Sequence, residues 1–119
     1  MYCISKEFHF SAAHQLSHLP EGHPCKRLHG HNYIVEMVLE SEALDHRGFV
    51  TDYNELRTVK EYIDAYLDHR NLNDVLDRPT TAENLARHLF DRFAGEFPTL
   101  AEVRVSETPK TWARYRRAR

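Results

Sequence analysis

The chain predicts an α+β fold, an antiparallel sheet with two helices on one face, and three observations carry that expectation. Residues alternate apolar and polar from Tyr2 to Ala12 and again from about His29 to Glu40. Two stretches then repeat their apolar residues at helical spacing, each behind a capping signal. After Leu100 the alternation returns. The order strand, strand, helix, helix, strand, strand follows. With 119 residues, 41% of them hydrophobic and 11% aromatic, the chain fits one globular domain over 1–119 with a single core.

In the first strand Tyr2, Ile4, Phe8 and Phe10 share a parity that Lys6 interrupts, so burial on that face should begin at Phe8. His14 continues the parity and emerges where the buried face ends. His9 has the opposite parity and reads as a surface residue. Ser17 to Lys26, with Pro20, Gly22 and Pro24, is a loop whose His18 and His23 read as exposed. The next strand puts His29, His31, Tyr33, Val35, Met37 and Leu39 on one face. Ile34 and Val38 make its other face partly apolar, a hint of oligomerisation. Phe49-Val50 reads as a short extended piece. Asp52 with Glu55 signals a helix start, and the stripe Leu56, Val59, Ile63, Tyr66 and Leu67 predicts a helix to about Asp68 or His69. Thr80 to Glu83 offers a capping box for a second helix, with Leu85, Leu89, Phe90 and Phe93 as its stripe and an end near Gly95. In the third strand Ala101, Val103 and Val105 face one way, and Thr111 to Arg116 supplies a last edge strand.

Charge and cysteine content exclude several functions. A net charge of -2 gives no basic field for nucleic acid. The arginines at 114, 116, 117 and 119 read as a solvated tail. No apolar run reaches the roughly 20 residues of a membrane span and no signal-peptide core opens the chain, so the expected location is cytoplasmic. Two cysteines make no disulfide framework, and Cys3 reads as a small buried hydrophobe.

The chemistry concentrates at Cys25-Lys-Arg-Leu-His29-Gly-His31. Residues i and i+2 of a strand share a face, so His29 and His31 present two imidazoles side by side. With His14 they form a three-histidine set able to hold Zn2+ and leave one position open, as catalytic sites do. Cys25 is either a fourth ligand or a free thiolate beside the cation. Asp68-His69, at a helix end, is open to two readings, a surface ion pair or a functional one. Glu107 falls on the apolar parity, where a carboxylate is costly unless it is paired within the protein or receives a ligand's N–H groups.

Taken together, Phe-x-Phe-Ser-Ala-Ala-His14, Cys25-x-x-x-His29-Gly-His31-Asn-Tyr, Leu67-Asp68-His69-x-x-Leu-Asn73, Ala82-Glu83-Asn84 and Glu107-Thr108 resemble the 6-pyruvoyltetrahydropterin synthase family. The short Cys-x-x-x-His spacing is similar to its bacterial branch, which makes 6-carboxy-5,6,7,8-tetrahydropterin for queuosine and 7-deazapurine biosynthesis. The motifs cover nearly the whole chain in order. One departure is Pro79-Thr80-Thr81-Ala82, a residue longer than the family's usual Pro-Thr before the small residue. The resemblance implies the tunnelling fold, with subunits that assemble a β-barrel as trimers, commonly paired into hexamers, and sites between subunits. It implies conversion of 7,8-dihydroneopterin triphosphate and water to the 6-carboxy pterin, acetaldehyde and triphosphate. In that scheme His14, His29 and His31 hold zinc, Cys25 transfers a proton with Asp68 and His69 as its partners, and Glu107, aided by Thr108, anchors the pterin. Two alternatives stand beside it: pyruvoyl-pterin formation by triphosphate elimination, and a non-catalytic zinc-stabilised binding module.

Overall fold

The computed structural model describes residues 1–118 and contains one sheet of strand order β1-β2-β3-β4, antiparallel throughout. β1 (Tyr2–His14) and β2 (His29–Ser41) pair without a break from Tyr2↔Ser41 to His14↔His29. Strands of 13 residues reach about 43 Å at about 3.3 Å per residue, and this hairpin accounts for most of the molecule's 55 Å length. Unbroken register carries one parity of each strand onto a single face. Phe8, Phe10 and Ala12 from β1 and Tyr33, Val35, Met37 and Leu39 from β2 are all buried there. The row ends, as the alternation requires, on His14, His29 and His31. Tyr2 is exposed and Ile4 only half-buried, so burial does begin beyond Lys6.

α1 (Arg57–Tyr66) and α2 (Ala82–Phe93) cover this face, α2 lying against β3 (Leu100–Ser106) and β4 (Ala113–Arg116). Asp52 caps a short 3-10 turn, Tyr53–Leu56, by accepting from the Asn54 N–H at 2.9 Å, and α1 continues from it. Leu56, Val59, Ile63 and Leu67 form the buried stripe, while Tyr66 is exposed. The helix stops two or three residues before the expected end: the Asp68 N–H reaches back five residues to the Ile63 carbonyl that Leu67 already uses, and His69 adopts a left-handed φ of 57°. The cap of α2 also differs from expectation. Thr81, not Thr80, accepts from the Asn84 N–H at 3.2 Å, and Thr80 is buried elsewhere.

A bulge corrects the parity of β3. Val38 pairs with Glu102 and Leu39 with Leu100, so Ala101 is left over and Leu100 joins Val103 and Val105 in the core. Phe49-Val50 forms no strand; it follows a turn in which Asp45 accepts from the backbone of Arg47 and Phe49. Cys3 is exposed rather than buried, since its parity faces away from the helices. The arginines at 114, 116 and 117 are exposed, as expected, but Arg114 and Arg116 belong to β4 rather than to a tail. Arg116 donates to Glu102, and Arg117 donates to the Leu100 carbonyl from its side chain and to Ala101 from its backbone. Arg119 lies outside the described residues. Among those described, no helix is long and apolar enough to cross a membrane.

Candidate metal centre and adjoining cleft

His14 is 1% exposed. Its Nδ1 lies 2.7 Å from the Thr80 carbonyl and 3.2 Å from the Thr80 hydroxyl. A carbonyl only accepts, so Nδ1 carries the proton and Nε2 is left with a lone pair. His29 repeats the arrangement, its Nδ1 donating to the Arg27 carbonyl at 2.7 Å. The two lone-pair nitrogens then face each other at 3.0 Å. Facing lone pairs repel unless something positive lies between them. Two Zn–N bonds of about 2.05 Å at the tetrahedral angle would set their nitrogens about 3.3 Å apart, close to what is found.

His31 completes the set. Its Nε2 is buried without a hydrogen-bond partner, and the ligand atoms of His14, His29 and His31 all lie within 4.8 Å of one another. Gly30 lies between the two imidazoles, where a Cβ would meet the Ala12 carbonyl at 3.4 Å, an ordinary contact. Burial pushes the His31 imidazole below its ordinary pKa, against the upward pull of Glu107 and with His14 and His29 adding to the drop. A neutral ring is the metal-binding form. Two fixed tautomers, a third free nitrogen and three converging rings therefore fit a divalent cation of the zinc type.

The sulfur of Cys25 is not part of this close set. Cys25 lies in a 3-10 turn, Pro24–Lys26, half-buried; its N–H donates to His23 Nδ1 and its carbonyl accepts from the Leu16 N–H, two residues beyond His14. His18 and His23 are exposed, as expected of that loop.

Asp68 and His69 lie along the free edge of β1. Asp68 Oδ1 accepts from the Ser11 N–H at 3.0 Å, the His69 N–H donates to the Ser11 carbonyl at 2.6 Å, and the Ala13 N–H donates to the Arg70 carbonyl. The Ser11 amide, then the His69 ring, hold the Asp68 carboxyl below its usual range. Asp68 Oδ2 and His69 Nδ1 are 2.9 Å apart, and the His69 ring is 81% exposed. The imidazole is thus oriented by a carboxylate yet presented outward.

Glu107 follows β3 directly. Its Oε2 is 3.8 Å from His31 Nε2, too far for a hydrogen bond. Thr108 joins the same turn, where its hydroxyl meets that of Thr111 at 2.8 Å and its carbonyl accepts from Ser106. A cleft of about 740 Å3 opens here, lined by His31, Tyr33, Asp68, Glu107 and Thr108. The pattern of residues marks His31, Asp68 and Glu107, and the family resemblance adds Thr108. The pattern missed Tyr33, read only as core, although a phenol on an apolar row was itself a signal. It also missed Thr80, whose place in a Thr-Thr pair leaves one hydroxyl for the cap and the other for His14.

The family model described as 6-pyruvoyl tetrahydropterin synthase matches residues 3–118. A 6-carboxy-5,6,7,8-tetrahydropterin synthase of Synechocystis sp. is 39% identical over 123 residues, covering 97% of this chain and 93% of the relative. The enzyme of that name from Bacillus subtilis is 32% identical over 127 residues, covering 95% and 84%. Among solved structures, Caenorhabditis elegans 6-pyruvoyl tetrahydropterin synthase superposes with a TM-score of 0.85 at 27% identity, over 98% of this chain and 96% of that one. Sequence, fold and the clustered histidines agree, and the chain belongs to the 6-pyruvoyl tetrahydropterin synthase family.

Proposed function

We propose that this chain is a zinc-dependent 6-carboxy-5,6,7,8-tetrahydropterin synthase, a carbon–carbon lyase that converts 7,8-dihydroneopterin triphosphate and water to the 6-carboxy pterin, acetaldehyde and triphosphate in queuosine and 7-deazapurine biosynthesis. The observation that supports it most is the set of three converging imidazoles with an unbonded carboxylate, Glu107, at 3.8 Å. The similarity to the Synechocystis and Bacillus enzymes of that name supports the choice of reaction.

A zinc ion held by His14, His29 and His31 would act as a Lewis acid on the oxygens of the substrate side chain. Glu107, whose carboxylate has no hydrogen bond among the described residues, accepts the N–H groups of the pterin's amino-pyrimidine edge and fixes the ring. Thr108 borders the same space. Cys25 moves one proton at its sulfur, and His69, oriented through Nδ1 by Asp68, moves the second. These last groups are anchored apart within one chain, Asp68-His69 at Ser11 and Cys25 at Leu16. Ser11 and His14, the last residue of β1, are on the order of 10 Å apart, and the Cys25 anchor at Leu16 lies beyond the end of that strand. That separation, together with the outward His69 ring, supports a site shared between subunits of a homo-oligomer, a trimer or hexamer.

The deciding experiment incubates the protein with 7,8-dihydroneopterin triphosphate, with and without a chelator, and reads product mass and acetaldehyde. The 6-carboxy product with acetaldehyde is expected, abolished by the chelator and by Cys25→Ala, with Cys25→Ala keeping its zinc. A triphosphate-elimination product without acetaldehyde would favour pyruvoyl-pterin synthesis, the activity named for the Caenorhabditis structure. Unfolding on metal removal, with no turnover, would instead leave a zinc-stabilised binding module.

A further inference from the structure

Buried polar atoms in folded proteins are nearly always paired, so each exception asks for a reason. Two buried side-chain atoms of the described residues have no partner: His31 Nε2 and the Tyr33 hydroxyl. The first is explained by its place among the metal ligands. The second is not. Tyr33 is 1% exposed, and its ring is stacked on Phe10 at 5.0 Å and set edge-on to His31 at 5.5 Å. The ring is held firmly while its donor is left unused.

The register identifies the acceptor. Ile34 pairs with Ser106 at the end of the β2–β3 ladder. Glu107 is the first residue beyond β3, and continuing the ladder by one step would set it across from Tyr33, on the face where opposed side chains meet. Both line the cleft. Among the described residues no hydrogen bond uses the Glu107 carboxylate, and its Oε2 lies 3.8 Å from His31 Nε2. A carboxylate has about four lone-pair positions, so it can take one O–H from the protein and still receive two N–H groups from a ligand.

We infer that Tyr33 is a positioning residue of the pterin site, its phenolic O–H reserved for the Glu107 carboxylate when His31 is engaged with a cation and the ring is bound. This rests on the pterin-binding role proposed above for Glu107. It explains why a phenol occupies a row otherwise apolar up to the histidines: phenylalanine would fill the same space and could not orient the carboxylate.

The test is Tyr33→Phe, which keeps the ring and its stacking, measured on the zinc-loaded full chain with neopterin fluorescence as the readout of capture. Affinity should fall roughly tenfold, as for loss of one hydrogen bond to a charged group, with zinc content unchanged and thermal stability equal or higher. In a Glu107→Gln background the same substitution should cost less than about twofold, because the two act through one contact. Equal affinity in Tyr33→Phe, additive losses in the double variant, or a drop in stability showing that the hydroxyl serves the fold would each overturn the inference. If the unaltered protein fails to capture neopterin, the pterin reading itself falls and this inference with it; capture by the unaltered protein with no effect of Tyr33→Phe removes the inference alone.

Discussion

Two buried polar sites lie on opposite faces of the same sheet and are completed in opposite ways. Glu102, 2% exposed, faces away from the helices and accepts from Arg104 and from Arg116 Nε at 2.9 Å, while Arg104 also reaches Glu36 at 3.0 Å. Its charge is answered within the chain. His14, 1% exposed, ends the core row on the other face, and the answer there is incomplete: two lone pairs confront each other and a third nitrogen has no partner. Burial is the same, so burial does not distinguish architecture from function. What distinguishes them is whether the polar groups are satisfied by the chain itself, since a group that folding leaves unpaired in a dry place must be compensated from outside.

The contrast breaks most sharply at the histidines. His29→Ala should lower zinc affinity by at least about 100-fold, more than typical losses from altering groups that merely orient ligands, while circular dichroism shows the sheet and helices retained. A variant that unfolds would make the histidines structural, like Glu102. At Glu102 the expectation reverses. Glu102→Gln should leave zinc binding unchanged in equilibrium dialysis and destabilise the chain by roughly 1–3 kcal/mol in urea titrations, because partly exposed arginines lose their shared counter-charge.

The pH dependence sharpens the same point. Burial alone would raise the Glu102 carboxyl, but Arg104 and Arg116 overcome it and hold it below its ordinary 4.5. The unfolded chain therefore takes up the proton first as pH falls. The stabilisation is fully present above the ordinary value and is lost as pH drops through the lowered one. Urea midpoints collected from neutral to acid pH should show this slope in the unaltered protein and a shallower one in Glu102→Gln. The smallest effect is expected at Thr80. Thr80→Val removes a hydroxyl 3.2 Å from His14 Nδ1 but leaves the carbonyl at 2.7 Å, so zinc affinity should fall only about threefold to tenfold in a competition assay. No change would assign the orientation of His14 to the carbonyl alone.

Local periodicity carried much of this fold. Alternation and cap signals located both long strands and both helices, because side-chain direction repeats within a few residues whatever the rest of the chain does. The errors fall where a neighbour decides. Thr80 and Thr81 are equally good caps in isolation, and only the docking of His14 against the Thr80 carbonyl selects Thr81. The parity of β3 was misread at Ala101 because a bulge is a property of two paired strands. Arg114 and Arg116 read as a tail because their place in β4 depends on pairing with β3, where Glu102 accepts from Arg116.

For the site the division is similar. Strand alternation marked His14, His29, His31 and Glu107, nearness to His29 marked Cys25, and a helix end marked Asp68 and His69, whereas Thr108 entered only through the family resemblance. The tertiary structure alone brought a histidine from β1 to within 3.0 Å of one from β2, fixed which nitrogen of those two rings stays free, and left the Tyr33 hydroxyl without a partner in a cleft that Glu107 also lines. Those are relations between strands and depend on register, and register is settled by the whole hairpin closing at once rather than by any one segment of it.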